Sequence, residues 1–112
     1  MLNKALRVNS ALFKDILKQS KKYQGQYFSL SIAELVGGQG PRVAVVVPGN
    51  LGLNAVRRNK LKRQMRSVIR LLGSLLAKSR VYLLFARPAS RDLSFKDIEK
   101  NILELFKKYS NN

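Results

Sequence analysis

Positions 55–72 read AVRRNKLKRQMRSVIRLL, and two chemistries repeat there with one period. At about 100° per residue, Leu61, Met65, Val68, Ile69 and Leu72 fall within an arc of roughly 100°. Asn59, Lys62, Arg63, Arg66 and Arg70 fall on the opposite side, with Lys60 at its edge. The spacing predicts one helix from Ala55 to about Leu72, stopped by Gly73. Such a helix has to seat its apolar arc on another element, because a half-apolar helix gains most of its stability from packing.

The flanking segments can supply that seat. RVAVVV at 42–47 reads as a strand, β-branched enough for a sheet interior, and RVYLLFARP at 80–88 as another, ended by Pro88. In YFSLSIAEL, Phe28, Leu30 and Ile32 point one way and Tyr27, Ser29 and Ser31 the other, the period of a half-buried strand. GGQGP at 37–41 is a turn, and PGNLGLN at 48–54 breaks the strand before the basic helix. NSALFKDILKQ at 9–19 predicts a first helix, capped by Asn9 or Ser10, with Leu12, Phe13, Ile16 and Leu17 on one face. Ser94 with Asp97 opens a last helix whose buried face is expected at Phe95, Ile98, Ile102 and Leu105. The order is helix, two or three strands, long basic helix, strand, helix. That is an α+β pattern, a single-domain α/β sandwich with a small central sheet. A crossover through the basic helix implies parallel strands beside it. With no repeat or linker, residues 1–112 read as one domain.

Charge narrows the partner. There are 22 Lys and Arg against 6 Asp and Glu, a formal net charge of +16. From Leu35 to Arg91 no acid occurs, while twelve of the basic residues fall there. A compact domain tolerates such self-repulsion best against a polyanion, so nucleic acid leads and an anionic membrane follows. A charged helix face is ordinarily only solvated, but the acid-free stretch argues against that here. A membrane-surface helix is disfavoured because the apolar arc carries no Trp or Phe and is committed to a core. Arg58 departs from the wheel: it points toward the apolar arc, where it can anchor the helix start or meet a phosphate from another direction. Cations in the first turn oppose the helix dipole, and Arg57 and Arg58 there favour a bound anion.

Catalysis by the chain itself finds no support. With no Cys and no His, thiolate chemistry, the usual general base and the commonest zinc ligand are excluded. Asp15, Glu34, Asp92, Asp97, Glu99 and Glu104 are not grouped as a two-metal site requires. GGQG lacks the Gly-Lys-Ser/Thr ending of a phosphate loop. The first fourteen residues have no signal-peptide core and no run approaches the ~20 apolar residues of a membrane span, so a soluble cytoplasmic protein is expected.

AVRRNKLKRQMRSVIR resembles the signature helix of the bacterial ribonuclease P protein component, R-N-x-[IL]-K-R-x-x-R-E-x-x-R. Arg58, Asn59, Leu61, Lys62, Arg63, Arg66 and Arg70 fall on its positions. RVAVVV, Gly52 and the Ala55–Val56 pair agree before it, and FARPA at 85–89 and LSFKDIEKNILELFKK after it. LFKDILKQSKKYQG resembles the family's opening helix and turn, so the likeness covers about residues 4–108. The resemblance implies an α+β subunit with a left-handed crossover that binds a large catalytic RNA. That ribonucleoprotein removes the 5′ leader of precursor tRNA by Mg2+-dependent hydrolysis, with the active site and most of the Mg2+ in the RNA. No membrane and no obligatory protein partner is expected. The runner-up is a ribosomal-type or other structured-RNA-binding protein.

On this resemblance the RNA-binding residues are Arg57, Arg58, Asn59, Lys60, Lys62, Arg63, Arg66 and Arg70. A leader cleft between the first helix and the sheet would take Phe13, Leu17, Tyr27, Ser29, Ser31, Arg42 and Asn50. Three departures stand out: Gly49 and Asn50 replace paired lysines, Ser67 replaces a glutamate, and Leu17 replaces an aromatic. They imply altered leader handling and leave the Arg-Asn core intact.

Overall fold

The computed structural model describes residues 18, 20–34, 42–73, 76 and 80–109. The helix expected over 9–19 lies outside these residues apart from Lys18, as does the 37–41 turn, so Phe13 and Leu17 have no described place. The described elements are β1 (Lys21–Gln24), β2 (Phe28–Glu34), β3 (Arg42–Val46), α1 (Ala55–Leu71), β4 (Arg80–Ala86) and α2 (Phe95–Tyr109). Short 3-10 turns occupy Gly49–Leu51 and Pro88–Asp92. Three strands therefore precede the basic helix, and Lys21–Gln24, read above as part of a helix and its turn, is the third. A four-residue polar edge strand gives too weak an alternation to be seen.

The strands form one sheet in the order β1-β2-β4-β3. β1 and β4 run antiparallel to β2, while β3 and β4 are parallel neighbours joined through α1. The parallel pair is what a strand–helix–strand crossover demands. Gly25 closes the β1–β2 hairpin. Its N–H donates to the Phe28 carbonyl at 2.8 Å, and a Cβ there would sit 2.8 Å from the same oxygen. Only glycine allows that approach. Arg87 fastens the hairpin to the end of β4, donating from its backbone to the Tyr27 carbonyl at 3.0 Å and from its side chain to the Gly25 carbonyl.

Register fixes the two sheet faces. Phe28 opposite Ala86, Leu30 opposite Leu84, and Ile32 and Val43 opposite Tyr82 form the face that receives the helices. Leu61, Met65, Val68, Ile69 and Leu72 from α1 and its end, with Ile98, Ile102, Leu105 and Phe106 from α2, complete this core. Each such side chain contributes roughly 1.5–3 kcal/mol on full burial. Tyr82 is fully buried and its ring lies 5.6 Å from that of Phe106. Phe95 does not join them: it is 42% exposed. As the first residue of α2 it precedes the turn on which Ile98 reaches the sheet, so helical spacing alone misplaced it.

On the second face lie Lys22 and Gln24, Ser29 and Ser31, Val81, Leu83 and Phe85, and Arg42, Ala44 and Val46. Ser31, Val81 and Leu83 are buried although they belong to no part of the helix-side core. Both faces of β4 are thus covered, which explains its nearly unbroken apolar sequence.

Candidate nucleic-acid interface

α1 is set by its approach. After β3 the chain turns through Pro48 and Gly49–Leu51, and Gly52 takes φ 76°, a left-handed conformation that suits glycine. Asn54 then caps the helix, its side-chain oxygen accepting from the Arg57 N–H at 2.9 Å. With the apolar arc on the sheet, the opposite side is forced outward. Asn59, Lys62, Arg63, Arg66 and Arg70 together line one shallow hollow. Lys62 is half-buried and the other four are exposed. Among the described residues no carboxylate forms a salt bridge with any of them. The row from Asn59 to Arg70 runs for roughly 16 Å at ~1.5 Å per residue. Ser67, in place of the family's glutamate, donates its hydroxyl to the Arg63 carbonyl at 3.0 Å and so offers the row no charge.

The remaining members of the basic segment diverge from that row. Arg58 is half-buried, and its guanidinium lies beside Gly49, 3.7 Å from where a Cβ would stand. It therefore leans back over the β3 exit, as its place on the wheel implied. Arg57 turns toward the second 3-10 turn, 3.7 Å from the Asp92 carboxylate and 3.5 Å from the Arg91 carbonyl. Arg91 in turn donates to the Leu51 carbonyl at 3.3 Å, tying the approach to the far side of β4. Lys60 lines a different hollow with Arg57, Gln64 and Phe95.

The second sheet face gathers only part of the expected cleft. Ser29 and Ser31 line a hollow of about 250 Å³ with Lys22, Gln24 and Phe85. Arg42 lies on the same face by register, and its buried Nε has no hydrogen-bond partner among the described residues. An unmet buried donor costs about 1–3 kcal/mol, more when charged. Tyr27 goes elsewhere: it lines a hollow against α2 with Gln24, Gln26, Leu105 and Tyr109, and packs on the helix-side core. It precedes the first residue of β2, so strand alternation does not extend to it. Asn50 contributes backbone to the 3-10 turn, and its side chain, like Phe13 and Leu17, lies outside the described residues. Phe85, Lys22 and Gln24 were not singled out from sequence. β4 is apolar on both faces and β1 was not recognised, so only the register reveals them.

The described acids have structural partners or stand apart. Glu34 meets Arg80 at 3.1 Å across β2 and β4, and Asp97 both receives the Ser94 hydroxyl and donates its N–H to it. Among the described residues no group of three His, Cys, Asp or Glu could hold a metal ion, and no helix is long and apolar enough to cross a membrane.

A four-stranded mixed sheet packed against two helices, one with a cationic outer face, defines a small α+β protein of the kind found as RNase P proteins. The family model for ribonuclease P matches residues 2–110. The chain belongs to the ribonuclease P protein family, the protein components of a tRNA-processing endoribonuclease. The ribonuclease P protein component of Finegoldia magna is 31% identical over 96 residues, 86% of this chain and 82% of that one. That of Symbiobacterium thermophilum is 28% identical over 108 residues, covering 96% and 93%. Among solved structures, the Staphylococcus aureus RNase P protein superposes with a TM-score of 0.85 at 25% identity, covering 94% of this chain and 95% of that one. The Thermotoga maritima protein gives 0.79 at 27% identity, covering 91% and 96%.

Proposed function

We propose that this chain binds the catalytic RNA of ribonuclease P through the outer face of α1 and holds the 5′ leader of precursor tRNA on the second sheet face. It thereby assists Mg2+-dependent removal of the leader in the cytoplasm, without an obligatory protein partner. The row Asn59, Lys62, Arg63, Arg66 and Arg70 carries this reading. Cations at i, i+3 and i+4 repel one another by a few tenths of a kcal/mol per pair, and RNA phosphates would offset that cost while releasing counterions. Arg57, Arg58 and Lys60 flank the row and would add contacts at the helix start.

The leader reading draws on different groups. Single-stranded RNA suits a groove with cationic and aromatic walls, and Lys22, Phe85, Ser29 and Ser31 supply these on one face. The unmet Nε of Arg42 would gain a partner from a phosphate oxygen. Ser29 and Ser31 can donate to or accept from sugar and base edges. In this scheme the RNA holds most of the magnesium, while Glu34 and Asp92 form ion pairs and Asp97 caps α2. The same reading assigns the chemical step to the RNA.

The test is reconstitution with the cognate ribonuclease P RNA at low magnesium, followed by precursor-tRNA cleavage. Faster cleavage than with RNA alone is expected. No gain while RNA binding persists leaves a structured-RNA-binding protein without a role in cleavage. Cleavage by the RNA-free chain would place catalysis in the protein instead.

A further inference from the structure

A second hollow, on the flank of α1, shares Arg57 and Lys60 with the helix start but lies apart from the outer row. Arg57, Lys60 and Gln64 form one wall, and the chain from Ser90 to Phe95 forms the other, enclosing about 330 Å³. That volume lies within the ~300–1,000 Å³ typical of small-ligand sites. Among the described residues, Phe95 is the one aromatic among the large hydrophobic side chains that stand exposed, at 42%. A partly exposed ring at the rim of a hollow leaves part of a π-face open to a flat partner.

The rim indicates the partner's chemistry. Three cations, Arg57, Lys60 and Arg91, face a single carboxylate, Asp92. That carboxylate is shared loosely, 3.7 Å from Arg57 and 3.8 Å from Arg91, with every side chain involved more than half exposed. Pairs of this kind hold weakly, and a phosphate can displace the carboxylate from both guanidinium groups. Gln64 adds a neutral amide able to meet the edge of a base. An aromatic face, cations at the rim and adaptable polar groups are what an unstacked nucleotide requires.

We propose that one unpaired nucleotide of the RNA partner seats between α1 and the start of α2. Its base lies against Phe95 and its phosphate lies toward Lys60, Arg57 and Arg91. This rests on the reading of α1 as the RNA face and extends that face around the helix. The outer row then follows phosphates, while the flank senses whether the RNA presents an extruded base at that point.

Because the chain contains no Trp, Phe95→Trp introduces a single indole at the site. The holding experiment titrates this variant, Phe95→Leu and wild type with the cognate ribonuclease P RNA. Indole emission should fall with RNA in step with binding. Phe95→Leu, which keeps apolar cover but loses the π-face, should bind roughly 5- to 150-fold more weakly. Its salt dependence should match wild type, since no phosphate contact is lost. Asp92→Asn should tighten binding more than Glu104→Gln, a neutralised acid away from the site. Phe95→Leu binding as wild type overturns this inference alone, as does indole emission that stays unchanged while RNA binds. Wild type failing to bind at all removes the parent reading and this one with it.

Discussion

Arg66→Gln separates what the outer row does for RNA from what it does for the fold. Arg66 is exposed and has Lys62, Arg63 and Arg70 as its neighbours at four, three and four positions along α1. Each like-charge pair costs roughly 0.2–0.5 kcal/mol, so removing three by neutralising Arg66 should stabilise the free protein by about 0.6–1.5 kcal/mol. That corresponds to a rise of a few degrees in Tm. Binding should move the other way. If Lys62, Arg63, Arg66 and Arg70 each meet one phosphate, log K falls with log salt at a slope of about −2.8 to −3.6. Raising salt from ~50 to ~200 mM then weakens wild type by roughly 50- to 150-fold, and Arg66→Gln by only about 20- to 40-fold. Filter binding to the cognate RNA across that range, with thermal unfolding by circular dichroism alongside, measures both. Lys100→Gln, an exposed cation on α2, should leave the slope unchanged. An unaltered slope and affinity for Arg66→Gln would mean that the row is only a solvated face.

Three further substitutions probe the scaffold. Met65→Ala empties a fully buried position and should cost about 2–5 kcal/mol, read as a large fall in Tm. Gly52→Ala places a side chain at φ 76° and within 3.2 Å of the Arg91 guanidinium, so a loss of roughly 1–2 kcal/mol in denaturant unfolding is expected. Ser67→Glu sets a carboxylate four positions after Arg63 and three before Arg70, and should raise Tm slightly while lowering RNA affinity in the same titrations. Unchanged Tm and unchanged RNA affinity for that variant would mean that the added carboxylate meets neither Arg63 nor Arg70.

Much of α1 was readable before any coordinates, because both of its chemistries repeat at 3.6 residues. Leu61, Met65, Val68, Ile69 and Leu72 are buried, and the five residues opposite share one hollow. The sheet was harder. β4 is apolar on both faces, so sequence could not separate Tyr82 and Leu84, which face the helices, from Leu83 and Phe85, which do not. Tyr27 and Phe95 each sit at an element's edge, where periodic placement fails because the chain has not yet adopted the repeating geometry. β1 left no pattern, and with it Lys22 and Gln24 escaped notice until the register aligned them with Ser31 and Ser29. The family motif located the basic helix but said nothing of the Phe95 flank, which arises only when α1 and α2 are packed together.

The sheet order also sets a schedule for synthesis. β4 sits between β2 and β3, yet it is the last strand made. The residues of α1 are complete some fifteen positions before the end of β4, about one to three seconds at ordinary elongation rates. Throughout that interval β3 lacks its hydrogen-bonding neighbour, and the apolar arc of α1 has no finished surface to rest on. The cationic face is therefore polymerised before its floor exists, and the helix is fully seated only once β4 and then α2, which follow it in the chain, have been made.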